Sequence, residues 1–218
     1  DLEWLRTGGF AAAIQRWRGN RKDSSILIGI CGGMQMLGVS VQDSTGLETG
    51  VVTCLEALGW LPIRTNLLGE KVTRRATGTL TANLLDEIRE GTSIAGYEIH
   101  LGETEYLPGA QPLAIIHRTG TREVVTDGAI ADNGGVFGTY LHGIFDADEF
   151  RHAFIRAARS RCGLAPGARR AFVQAQREQR IDRLAAAVKG ALDMDLIYRL
   201  LDIPRPVGDP TKLANAAV

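Results

Sequence analysis

Residues 26–38 read ILIGICGGMQMLG: an unbroken apolar run, a cysteine set between glycines, and a short segment closed by another glycine. Few folds accept that order. A short run rich in β-branched residues suits a strand buried on both faces, and GGMQMLG has the length and closing glycine of a short helix. Gly29-x-Cys31-x-Gly33 is then the cysteine form of a nucleophile elbow, where the reactive side chain sits on a tight strand-to-helix turn. Small neighbours are required because such a turn brings backbone against backbone. A helix starting after Cys31 aims its first amides and the positive end of its dipole at the sulfur, which favours a thiolate and can hold an oxyanion. The Gly32 amide is the natural oxyanion donor. The competing reading of Cys31 is a small core hydrophobe, and the glycine frame weighs against it. Cys54 and Cys162 lack that frame and read as core filler.

A cysteine nucleophile needs a base, normally a histidine that the fold brings near. Of the four histidines, His152 lies in a charged helical pattern and reads as a surface residue, and His117 closes LAIIH as a strand-end residue. His100 and His142 remain. His142 ends GVFGTYLHG, a strand-like run closed by a glycine turn, and so is expected at the sheet edge that carries the elbow.

Around this centre the chain alternates in texture. Asp1 is placed to cap LEWLRTGGFAAAIQRWR, where apolar residues recur at helical spacing around a Gly8-Gly9 break, giving two short helices ending near Arg18. From Val51 to Val136 come strand-like runs between turn signals: LGWLPIRT, KVTRRATGTL, IAGYEIHLGETEY, LAIIHRT and GAIADNGGVFGTYLHG. After Asp146 the period is helical again, through DADEFRHAFIRAARSRCG, AQREQRIDRLAAAVKGAL and MDLIYRLLD. The expected class is α/β with a mixed sheet and a helical C-terminal extension. The expected divisions are residues 1–163, a helical 164–204, and a proline-rich 205–218 that frays.

Lys plus Arg and Asp plus Glu each number 25, so no net field favours a nucleic acid or an anionic membrane. The three cysteines form no CxxC pair and have no histidine at metal spacing, so no metal set is read and reduced thiols in the cytoplasm are expected. No apolar stretch reaches the length of a membrane helix. The chain begins at Asp1 and runs straight into an amphipathic pattern, as expected of a piece of a longer polypeptide.

GICGGMQMLG and GTYLHGIFD together resemble the two active-site motifs of class I glutamine amidotransferases, flavodoxin-like domains that hydrolyse glutamine to glutamate and ammonia. The resemblance implies Cys31 as nucleophile, His142 as proton shuttle and Gln35 as a substrate-holding residue. It departs at Ile144, two positions beyond the histidine, where the usual triad has a glutamate. That departure is similar to the cobalamin-biosynthesis subfamily, which keeps the cysteine and histidine without the glutamate. With LGWLPIRT, GYEIHLGET, DLEWLR and DMDLIYRLLD, nearly the whole chain to Pro204 resembles the glutaminase portion of the cobyric acid synthase family. GYEIH speaks against the related cobyrinic acid a,c-diamide synthases, which stay as the alternative beside a non-catalytic docking fragment. The resemblance further implies an upstream ATP-dependent synthetase domain holding ATP and Mg, a corrinoid acceptor reached through it, and an upstream loop giving the second oxyanion amide. No phosphate loop occurs in this chain, so no cofactor is assigned to it. Glu98 and His100 alternate on GYEIH and face one side of a strand. They are auxiliary candidates: Glu98 in place of the missing glutamate, both touching the synthetase domain, or a polar face satisfied by loops.

Overall fold

The computed structural model describes residues 1–21, 24–48, 50–165, 167 and 172–204. Two helices open the chain, α1 (Leu2–Thr7) and α2 (Phe10–Asn20), with Gly9 at φ +77° in the break between them. Asp1 stands at the cap position, but its backbone carbonyl rather than its side chain takes the Leu5 amide. The elbow follows as β1 (Leu27–Ile30) and α3 (Gly32–Leu37), then β2 (Ser40–Asp43), β3 (Thr53–Glu56) and β4 (Ile63–Asn66). β5 (Val72–Leu80), β6 (Ser93–His100), β7 (Glu103–Tyr106), β8 (Ala114–Arg118) and β9 (Val124–Asp127) come next. β10 (Ala129–Ala131), β11 (Val136–Thr139) and β12 (Leu141–His142) complete the strands, and α4 (Asp148–Arg161) ends this part at Gly163.

The strands form three sheets, in the orders β1-β11-β10, β12-β6-β5-β8-β9 and β3-β2-β4-β7. Parallel pairs (β1 with β11, β2 with β4) sit among antiparallel ones, so the sheets are mixed, as the pattern of runs implied. The run GAIADNGGVFGTYLHG is not one strand. Asp132, Asn133 and Gly134 all have positive φ and reverse the chain, which makes β10 and β11 antiparallel. A second break at Tyr140 carries the chain from β11 in one sheet to β12 in the next. β1 also differs from expectation. With β11 as its one neighbour among the described residues it is an edge strand, and its burial is graded, from buried Gly29 to exposed Ile30.

Two apolar clusters hold the sheets. Leu80, Leu84, Ile88, Ile94, Ile116, Phe137 and Leu141 pack with Phe150 of α4, and Met34, Leu37, Leu61, Ile63 and Val136 pack around α3. Ile144 is fully buried in the first cluster, so the position beyond His142 is spent on the core. Cys54 and Cys162 are exposed, which corrects their reading as core filler: Cys54 lies on β3, whose residues are exposed but for the half-buried Thr53, and Cys162 lies just past the last residue of α4. A second compact unit begins at Phe172 and contains α5 (Val173–Ala191) and α6 (Met194–Leu200), the latter capped by the Asp193 carboxylate on the Leu196 amide at 2.9 Å. Residues 205–218 lie outside the described residues. No described helix is long and apolar enough to cross a membrane.

Candidate active site

Cys31 has φ 55° and ψ −119°, a backbone state costing on the order of 1–3 kcal/mol for a residue with a side chain. Neighbouring bonds impose it. The Cys31 amide donates to the Thr139 carbonyl at 2.8 Å, and the Cys31 carbonyl accepts from the Met34 and Gln35 amides at 2.9 and 3.2 Å. Gly29 faces the turn from inside. A Cβ there would lie 2.6 Å from the Gly33 backbone, which is the mechanical reason for the Gly-x-Cys-x-Gly spacing. The Gly32 and Gly33 amides open α3 and have no helical acceptor, and a side chain at either would meet only open space. The half-buried thiol donates to the Ile99 carbonyl at 3.3 Å.

His142 is placed by a second close approach. Gly96 on β6 has no room for a Cβ, which would come within 2.5 Å of the His142 carbonyl oxygen, so β12 lies directly on β6 with His142 opposite Tyr97. Opposed residues of an antiparallel pair share a face. His142 therefore faces with Tyr97, while Leu141 faces with Glu98. Its Nε2 is buried and has no hydrogen-bond partner among the described residues. Cys31 and His142 thus both meet the stretch Tyr97–Ile99, two residue steps or about 7 Å of strand.

The other face of β6 carries an ion network. Glu98, 3% exposed, accepts from Arg118 Nε and Nη2, both at 2.6 Å, and from His100 Nε2 at 3.1 Å. Burial alone would raise the Glu98 carboxyl, but the hydrogen bonds and charges of Arg118 and His100 outweigh it and hold it at about 2. The Glu98 hydrogen bond moves the Arg118 guanidinium upward in turn. His100 faces acceptors with both ring nitrogens, its Nδ1 lying 3.1 Å from the Gly102 carbonyl, and its ring stacks on Tyr140 with centroids 4.1 Å apart. Gln35 Nε2 donates to the Leu101 carbonyl at 3.1 Å and to the Tyr140 hydroxyl at 3.3 Å, and that hydroxyl pairs with Thr104 Oγ1 at 2.7 Å. Glu98 and His142 share neither a face nor a hydrogen bond among the described residues. His117 is exposed on β8 and His152 half-buried on α4, neither of them bonded to these groups in any contact above.

Sequence reasoning passed over Tyr140, Arg118 and Asp127. Tyr140 was inside a quoted motif. Asp127, in the turn-like TDG, gave no signal, yet it is 2% exposed and accepts from the Thr139 hydroxyl and, at 3.0 Å, from the Tyr140 amide. No group of three or more His, Cys, Asp or Glu among the described residues is placed to hold a metal ion.

Comparison with known proteins gives the family of the chain. The chain is 39% identical over 203 residues to a cobyric acid synthase of Klebsiella pneumoniae (strain 342), covering 92% of this chain and 38% of that protein. It is 36% identical over 209 residues to the cobyric acid synthase of Moorella thermoacetica, covering 95% and 40%. A cobyric acid synthase of Thermoanaerobacter sp. (strain X514) is 37% identical over 186 residues, covering 84% and 36%. The chain therefore spans about two fifths of the length of the curated relatives it matches. Residues 1–150, which contain the elbow, β6 and His142, match the CobB/CobQ-like glutamine amidotransferase domain, and the chain belongs to that family.

Proposed function

We propose that this chain is the glutaminase part of a cobyric acid synthase, releasing ammonia from glutamine for amidation of corrin-ring carboxylates. The observation that carries the reading is the strained Cys31 elbow beside β6, with the unpartnered His142 Nε2 two residue steps along the same strand. In this reading His142 takes the thiol proton, and the Cys31 sulfur attacks the side-chain amide carbon of glutamine. The Gly32 amide, which opens α3 and has no helical acceptor, donates to the tetrahedral oxyanion, an interaction worth about 3–4 kcal/mol in comparable enzymes. A second amide is expected from a segment outside this chain. His142 then protonates the leaving ammonia. Water, deprotonated by His142, attacks the thioester and frees glutamate.

Gln35 already spends both Nε2 protons, on Leu101 and Tyr140, so its carbonyl oxygen is the atom left to accept from glutamine. Glu98 and His100 act one step back, by fixing the Tyr140 ring on which Gln35 is held. ATP and Mg would belong to the synthetase portion of the whole protein, and no step here passes through them.

The test is glutamate release by the full-length protein with ATP and a corrinoid acceptor present, wild type against Cys31→Ser. Release is expected to fall by more than about a thousandfold while added ammonia still supports amidation. Unchanged release would overturn the reading.

A further inference from the structure

The 139–141 bend is the joint of the site. The Thr139 carbonyl holds the Cys31 amide at 2.8 Å; the Tyr140 carbonyl holds the Ile99 amide at 3.2 Å, and the carbonyl of that same Ile99 accepts a hydrogen bond from the Cys31 thiol. The Tyr140 hydroxyl holds Gln35, and His142 is the next residue but one. What holds the bend itself is Asp127, at the end of β9. One carboxylate oxygen accepts the Thr139 hydroxyl and the other the Tyr140 amide, while Thr139 Oγ1 accepts the Leu141 amide at 2.9 Å. Three consecutive residues of the bend are thereby tied to one buried side chain. Gly128 keeps that side chain close, since a Cβ there would fall 2.2 Å from the Gly138 carbonyl oxygen.

We infer that Asp127 is the positioning residue of this active site, fixing through Thr139 and Tyr140 the bend that sets Cys31 and His142 relative to each other. The inference rests on the glutaminase reading for its link to catalysis, but the tie itself is a property of the fold. Its ionised form is the one that completes the network. Thr139 is fully buried, donates to Asp127 and accepts from Leu141. If Asp127 carries the proton and donates to Thr139, the hydroxyl proton of Thr139 has no acceptor in that network. The charged and titratable groups facing Asp127 are Glu98 and His100 from β6, Tyr106 from β7 and Tyr140 from the bend. Burial pushes the carboxyl up, the Thr139 and Tyr140 hydrogen bonds pull it down, and the balance lies at about 6.

The experiment compares full-length wild type with Asp127→Asn, Thr139→Val and Thr139→Ser, by glutaminase kcat per titrated active site and by amide exchange of peptides covering Cys31 and Ile99. Asp127→Asn and Thr139→Val are expected to lose roughly tenfold or more in kcat and to exchange faster at both peptides. Thr139→Ser, which keeps the hydroxyl, restores both. The wild-type rate also falls as pH drops through about 6 in a limb that Asp127→Asn lacks. Should Asp127→Asn fail to fold, the Thr139 pair carries the test. Rates within about twofold of wild type, or a lost rate with unchanged exchange, overturn the inference. Absence of glutamate release by the wild type sinks the glutaminase reading instead, and the exchange arm then decides the tie alone.

Discussion

Two buried carboxylates meet the bend before His142, Glu98 opposite Leu141 in register and Asp127 bonded to Thr139 and Tyr140, and the fold treats them in opposite ways. Glu98, 3% exposed, is pulled down to about 2, whereas Asp127, 2% exposed, is pushed up to about 6. Burial is nearly equal, so it does not decide the direction. Partners do. Glu98 meets a guanidinium and an imidazole, and Asp127 meets a hydroxyl and an amide, dipoles that lessen desolvation without cancelling it. The β6 face is accordingly an ion network whose His100 ring stacks on Tyr140, while the β9 end holds a carboxyl raised to about 6.

Removing the cation from the first region should break this contrast most strongly. Arg118→Met leaves the Glu98 carboxylate buried with the His100 ring as its remaining hydrogen-bond partner in the network, and a loss of about 3–5 kcal/mol is expected in denaturant unfolding. A loss below about 1 kcal/mol would mean that Glu98 is solvated in solution and that the two regions do not differ as described.

The next effect is read in the pH dependence of stability. The Asp127 carboxyl rises from 3.8 unfolded to about 6 folded, so its contribution is fully present below about pH 4 and is lost as pH rises through about 6. The Glu98 carboxyl falls from 4.5 to about 2, so its contribution is present above about pH 4.5 and is lost as pH drops through about 2. Wild type minus Asp127→Asn should therefore change by on the order of 3 kcal/mol between pH 4 and 7. A flat difference curve would show that Asp127 is not desolvated.

How legible each region was in the sequence follows from the distance over which its causes act. The bend at Cys31 depends on Gly29 and Gly33, within two residues on either side, and its strand, turn and helix were all readable. α4 and its closure at Gly163 were readable for the same reason. The alternation of Glu98 and His100 correctly put both on one face, but the register that turns this face away from His142 is set by β12, only two residues long. Arg118 reaches Glu98 across the intervening β5, and no local pattern announces that pairing. Asp127 was hidden because Asp-Gly is common turn chemistry, and only the crossing of Thr139 above it gives the carboxylate its place. β1 was expected to be buried on both faces, since an apolar run does not tell a central strand from an edge.

The smallest effect sharpens the comparison within a single side chain. Arg118 binds two carboxylates: Glu98 inside, and Glu123, whose side chain is 59% exposed, through Nη1 at 2.8 Å. An exposed pair gains little Coulomb energy, is screened by salt and loses side-chain entropy on ordering. Glu123→Gln is expected to cost about 0.2–1 kcal/mol at low salt and less at high salt, with glutaminase kcat unchanged because Glu98 keeps the guanidinium in place. Unfolding at two ionic strengths measures it. A loss above about 2 kcal/mol, insensitive to salt, would mean that Glu123 anchors Arg118 and that the inner carboxylate depends on the outer one.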